Sequence, residues 1–331
     1  MRIMTTICSI VLVCVTALPA SETSGAGTAF RLLTMPSPWS SAVTITAGGE
    51  TSERVGSDAE TSIGFRDVGL GSTIRLLEDG ERTLLADVSG GYRVIDHDAP
   101  LVYSDTGNVV PGHLERIGVG ISGRLIDSGK RSWVASLTIS SNSDRAFDSM
   151  DEVDVTALAG VNLPQKDQAS WLLGLFYSRT IQFPLPLVAY SWQPKPGLYC
   201  TVGLPLLMVM FRSRESKWDG TLRVIAVNIA AEAGYRPFPP LRFYGLFTNQ
   251  RWSGYIADRA EADQQLSYDA WRLAVGTSWS FSRTRSLALE FGYEIERELV
   301  ETDGWSFRGQ EEEVIDLDPA GYLRLQMQWS F

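Results

Sequence analysis

With 331 residues, 44% of them hydrophobic and 21% charged, the chain can form one large all-β unit or two soluble domains. Its mean hydropathy of −0.03 excludes a helical membrane protein but not a barrel, whose alternating strands average out over a long window. A formal charge of −10 and the lack of a basic stripe argue against a nucleic-acid partner.

The amino terminus reads as a signal peptide. Arg2 supplies a short positive region, Ile7 to Val15 an apolar stretch too short to span a bilayer as a helix, and small residues follow. Cleavage is expected after Ala20 or Ala17, which assigns 1–20 to the leader, 21–40 to an N-terminal periplasmic segment and 41–331 to a β-barrel. Cys8 and Cys14 lie in the leader. Cys200 is then the sole cysteine left after export, so a closed hydrogen-bonded ladder must hold the chain together instead of an intramolecular disulfide.

Beyond the leader, alternation over about ten residues followed by a turn recurs along the chain. Ile117, Val119, Ile121 and Leu125 oppose Arg116, Gly118, Gly120, Ser122 and Arg124. Trp133, Ala135, Leu137 and Ile139 oppose Val134, Ser136, Thr138 and Ser140. Trp271, Leu273, Val275, Thr277, Trp279 and Phe281 form one face of the clearest strand, and Leu287, Leu289, Phe291, Tyr293 and Ile295 one face of the next, opposite Ala288, Glu290, Gly292, Glu294 and Glu296. The last strand sets Leu323, Leu325, Met327, Trp329 and Phe331 against Tyr322, Arg324, Gln326, Gln328 and Ser330. A carboxyl-terminal aromatic of this kind is the feature that the barrel-assembly machinery of bacterial outer membranes reads.

Short turns (Glu78 to Glu81, Asp127 to Lys130, Pro164 to Gln168, Pro194 to Gly197, Pro237 to Pro240, Ser282 to Arg285) largely alternate with longer polar connections at 51–66, 96–112, 143–152, 213–219, 253–266 and 299–318. The spacing predicts a single transmembrane antiparallel β-barrel of about fourteen strands, all-β, with both ends in the periplasm; twelve or sixteen strands also fit. Fourteen requires Leu198 to Arg212 to be one strand bent at Gly203 to Pro205. Strands of about ten residues, tilted about 40°, cover roughly 25 Å of hydrocarbon. Almost no charge falls on the outward positions.

Two sets of residues follow from this assignment. The charged lumen face comprises Arg75, Asp87, Arg93, Arg116, Arg124, Asp154, Glu232, Arg242, Arg272, Glu290, Glu294 and Arg324, with Arg272 expected opposite Glu294 or Glu296. Trp133, Trp171, Trp192, Tyr235, Trp279, Phe281, Trp329 and Phe331 recur beside the short turns, as expected for a membrane-interface girdle.

The middle of the chain, Phe183-Pro184-Leu185-Pro186 through Tyr190-Ser191-Trp192-Gln193-Pro194 to Gly197 and Gly203-Leu204-Pro205, resembles a family of uncharacterised bacterial outer-membrane β-barrel proteins. The resemblance covers most of the chain from about residue 30; it implies an outer-membrane barrel and carries over no catalytic residues.

Chemistry is sparse. His97 and His113 are the two histidines, near one long connection; Asp96 and Asp98 flank the first, and Ser104 lies between the two. No Gly-x-Ser-x-Gly elbow accompanies them, so an exposed polar loop is the stronger reading and no catalytic, metal or cofactor residue is assigned. The expected role is a passive or weakly selective channel for small solutes. The alternatives are a structural barrel binding lipopolysaccharide or an envelope partner and, less favoured, a lipid-modifying enzyme at the rim.

Overall fold

The computed structural model describes residues 41–55, 58–103, 106–166, 168–179, 184–212, 216–225, 228–256, 259, 264–303 and 314–331. The expected leader and the 21–40 segment lie outside them, as do Ser104 and Phe183. The chain runs through β1 (Ala42–Glu50), β2 (Glu53–Val55), β3 (Asp58–Glu78), β4 (Arg82–His97), β5 (His113–Ile126) and β6 (Ser132–Ser143). It continues with β7 (Val153–Pro164), β8 (Ser170–Ser178), β9 (Leu185–Lys195), β10 (Leu198–Leu204), β11 (Leu206–Arg212) and β12 (Trp218–Ile225). It ends with β13 (Asn228–Phe238), β14 (Leu241–Tyr255), β15 (Gln264–Ser280), β16 (Arg285–Asp303), β17 (Val314–Leu317) and β18 (Ala320–Ser330).

From β2 to β17 each strand pairs antiparallel with its successor, β18 pairs with β16, and β1 closes the ring by pairing with both β18 and β3. The result is a barrel of sixteen strands, with β2 and β17 as two short additions. β1 and β18 meet at one rim, where Ala42 faces Ser330. We call this rim, which also holds the turns at 79–81, 127–131 and 281–284, the lower end.

Sixteen strands replace the fourteen of the preferred sequence assignment for an identifiable reason. Leu198 to Arg212 is not one bent strand. Pro205 has no N–H to give the ladder, so β10 stops and the chain folds back, pairing Leu198 with Phe211 and Val202 with Leu207. Gly203 permits the close approach of β9: a Cβ there would lie 2.0 Å from the Val188 carbonyl oxygen. The stretch after Arg212 holds a second hairpin, β12 paired with β13. Each split adds one strand, so parity survives, but the 213–219 connection moves to the lower end.

The long connections are also shorter than expected, because β3, β14, β15 and β16 climb into them with 21, 15, 17 and 19 residues. Above the sixteen-strand ring these strands form a narrower collar. The top of β14 reaches across to β6, where Tyr255 bridges to Ser143, and β17 bridges to β2 through Leu317 and Val55. Gly254 allows the first seam, since a Cβ there would stand 3.0 Å from Leu114 and 3.2 Å from the Asn142 carbonyl oxygen. Asn142 Nδ2 donates to the Ser253 carbonyl at the same place, and Arg259 pairs with Glu152 at 3.8 Å above it. The collar is packed with Ile63, Phe65, Ile95, Tyr103, Leu266, Tyr268 and Leu299, all buried.

At the lower end the β5–β6 turn is held by Asp127, whose carboxylate accepts the backbone N–H of Arg131 at 2.9 Å and the indole N–H of Trp133 at 3.4 Å. These bonds, the Arg131 one foremost, hold the Asp127 carboxyl below the usual carboxylate range. A carboxylate stabilised in the folded state contributes above its ordinary pKa and ceases to contribute as pH falls through the lowered value. Acidification should therefore loosen this turn, read as a change in Trp133 emission that Asp127→Ala shows already at neutral pH.

Candidate functional site in the barrel interior

Strand alternation divides the wall into an apolar outside and a mixed inside. Ile117, Val119, Ile121, Leu137, Ile139, Leu273, Val275, Leu289, Phe291, Leu323 and Leu325 are exposed on the outer face, while Ser122, Arg124, Ser136, Arg272, Glu290, Glu294 and Arg324 on the same strands are buried inside. Beside the lower turns the outer face carries Trp133, Trp171, Trp279, Phe281 and Phe331, all exposed, and Trp192, Tyr235 and Trp329, partly so. The rings contact one another: Trp171 with Tyr190 at 5.0 Å, Tyr190 with Trp192 at 5.7 Å, Trp279 with Phe281 at 6.2 Å. Trp218 joins them, 4.8 Å from Tyr235. Reading 213–219 as an upper loop hid that residue.

Inside, one half of the wall is ionic. Arg272 Nε donates to Glu294 Oε1 at 2.6 Å, and Tyr268 donates to Glu294 Oε2 at 2.5 Å. Arg297 donates to the Tyr268 hydroxyl at 3.0 Å and to Glu50 at 2.9 Å. The guanidinium of Arg272 also lies 3.9 Å from the ring centroid of Tyr322, which donates to Glu290 at 2.7 Å. Lower down, Arg242 Nε donates to both oxygens of Asp219, at 3.0 and 3.2 Å, and its Nη2 reaches Glu232; Arg236 meets Asp219 at 3.0 Å.

The register places Arg272 opposite Glu294 and Arg324 opposite Glu290. Glu296, the other candidate for Arg272, sits at φ 49° as the extra residue of a bulge and is exposed. That bulge turns Arg297 inward, which strict alternation does not foresee. Asp219, Glu50 and Arg297 were absent from the expected lumen set: the first was assigned to a loop, the others lie at strand ends beyond the clean alternation.

The remaining expected lumen residues are dispersed. Arg93 pairs with Asp67 at 3.8 Å and covers the Trp252 ring at 4.4 Å. Asp87 accepts from Thr73 at 2.7 Å, and Asp154 accepts from Thr156 and Ser178 at 3.4 Å each. Arg124 reaches Thr83 at 3.5 Å. Arg116 approaches the backbone at Gly69 and Gly91, and Arg75, exposed at the lower rim, pairs with Glu78. Asp67, Arg93, Arg272, Tyr322 and Arg324 line a small, partly open space with room for about one water molecule.

The rest of the interior mixes polar and apolar side chains, with Asp154, Thr156, Thr201 and Arg223 among the inward residues of β7 to β12. Leu85, Val134, Leu158, Leu172, Leu187, Ala189 and Leu206 form a buried cluster, with Phe176, Met208 and Ile225 packed against it. No sequence signal points to it, because single apolar residues on a polar face read as noise until the barrel brings seven strands together.

His113 stacks on Tyr92, 5.4 Å between centroids. Asp96 is engaged by Arg66, and Asp98 accepts from Ser62 at 2.5 Å. Among the described residues no group of three His, Cys, Asp or Glu is placed to hold a metal ion.

No protein-family model matches the chain, and no curated protein matches it. Solved structures similar to it include an outer-membrane channel from Pseudomonas putida F1, at 9% identity and TM-score 0.39 over 89% of this chain and 97% of that one. The deltaS2 mutant of the TodX monoaromatic hydrocarbon channel aligns at 9% identity and TM-score 0.43 over 94% of each chain. The translocator domain of the autotransporter NalP from Neisseria meningitidis aligns at 11% identity and TM-score 0.36 over 92% of each.

Proposed function

We propose that this chain is an outer-membrane β-barrel that passes small solutes through a constricted, charge-lined interior. The observation that carries the reading is the two-faced wall: a closed ladder with apolar side chains outside and paired charges inside. Hydrocarbon offers a backbone N–H or C=O no partner, so only a closed sheet can stand in it, and the lower aromatic ring matches an interfacial girdle. The inward Arg and Glu residues line a route on which they act as selectivity elements. Because these charges are paired and the space among them is small, the passage is narrow at rest.

Reconstitution in a planar bilayer should give small, brief conductance steps rather than the large steady ones of an open porin. Arg242→Ala, which takes the shared arginine from Glu232 and leaves Asp219 with Arg236, should shift selectivity toward cations. No current and no solute flux in any condition would reject the channel reading and leave a surface barrel, for which the rigid collar offers the contact face to lipopolysaccharide or an envelope partner.

A further inference from the structure

The wall is not of even height. β10 and β11 have seven residues each and β12 eight. At about 3.3 Å per residue and about 40° of tilt, seven residues climb roughly 18 Å, short of the roughly 25 Å of a membrane's hydrocarbon. Elsewhere the outward apolar belt rises further, through Val68 on β3, Ile117 on β5 and Ile295 on β16, all exposed.

The turn at the top of the low stretch is built for an apolar setting. Gly203-Leu204-Pro205-Leu206 has no polar side chain, and Leu204 is 74% exposed. Turns in water favour Asn, Asp, Ser and Gly, as at Asp79-Gly80 and Asp127-Ser128-Gly129 at the lower end. Pro205 moreover leaves no N–H to be stranded away from water. Among the described residues no strand continues β10 or β11 beyond this turn, whereas β14 runs on to its bridge with β6 at Tyr255 and Ser143. Directly inside the turn lies the apolar cluster, with Leu206 buried and Met208 packed against it. A low rim facing hydrocarbon thus meets an inner surface of Leu187, Leu206, Met208 and Ile225, with Thr201 and Arg223 flanking Met208 on β10 and β12.

We propose that this low stretch is a lateral port, through which a small apolar molecule passes between the interior and the membrane, with Leu187, Leu206 and Met208 as its seat. The port rests on the outer-membrane reading but not on ion conduction.

Spin labels test it, in a Cys200→Ala background reconstituted in phospholipid vesicles. A label at Met208→Cys, inward and beside the port, is compared with one at Gln326→Cys, inward on full-height β18, and one at Leu289→Cys, outward on β16. The expected result is oxygen relaxation at 208 close to that at 289 and several-fold above that at 326, with a water-soluble nickel chelate excluded from 208. Oxygen access at 208 no greater than at 326, or ready access of the chelate, overturns the port while leaving the barrel intact. A label at 289 that behaves as water-exposed overturns the outer-membrane reading and the port with it.

Transport is read separately, with cells producing the protein and the apolar fluorophore 1-N-phenylnaphthylamine. Uptake should rise on expression and fall at least about tenfold in Met208→Gln, because a polar amide on the path penalises an apolar passenger. Heat-modifiable migration verifies that this variant folds. Unchanged uptake in a folded variant counts against the port.

Discussion

Leu289→Arg should cost the folded barrel about 2–4 kcal/mol and abolish the heat-modifiable band in membranes. Leu289 lies exposed on the outer face of β16, with Leu325 facing it from β18 and Thr277 from β15. No charge on the outer wall there can pair with an arginine, so the guanidinium must either lose its water or drag water into hydrocarbon. Its neighbour Ala288 points inward between Ser278 and Gln326, where an arginine finds polar company; Ala288→Arg should cost much less. Urea titration in vesicles, followed by tryptophan emission, compares the two. Equal damage from both would mean that the outer face packs against protein, and the membrane assignment would fall.

Glu294→Ala should be the most destructive change inside, at about 3–5 kcal/mol. Glu294 is fully buried and receives Arg272 and Tyr268 together, so its loss strands a guanidinium and releases Tyr268 from the bond that orients it toward Arg297. The double variant Glu294→Ala with Arg272→Met should recover part of the loss, because it removes the stranded charge. Asp96→Ala provides the contrast. Its pair with Arg66 is 46% and 67% exposed, and such a pair is worth at most about 1 kcal/mol. If Glu294→Ala proves as mild as Asp96→Ala in the same urea titration, the interior holds enough water to solvate the stranded arginine. That outcome would favour a wide aqueous pore over a constricted one.

The ionic half of the interior was legible because its pattern is local. Period-2 alternation places Arg272 and Glu294 inward, and one short turn puts them opposite each other. Asp219 and Arg297 were illegible for equally local reasons: a hairpin hidden in an apolar run, and a single bulge at Glu296. The apolar cluster could not be read at all, since its members come one or two at a time from β4 to β12. Their meeting depends on how the wall curves.

Alternation, turn spacing and the near absence of outward charge determine by themselves that this chain is a closed antiparallel barrel with a greasy exterior, because side-chain parity is a property of each strand alone. The number of strands, the collar closed by Tyr255 on Ser143 and the low wall at Leu204–Pro205 were decided only by tertiary structure. Register between neighbours and contacts across the ring set them, and neither is written in the periodicity of any one segment.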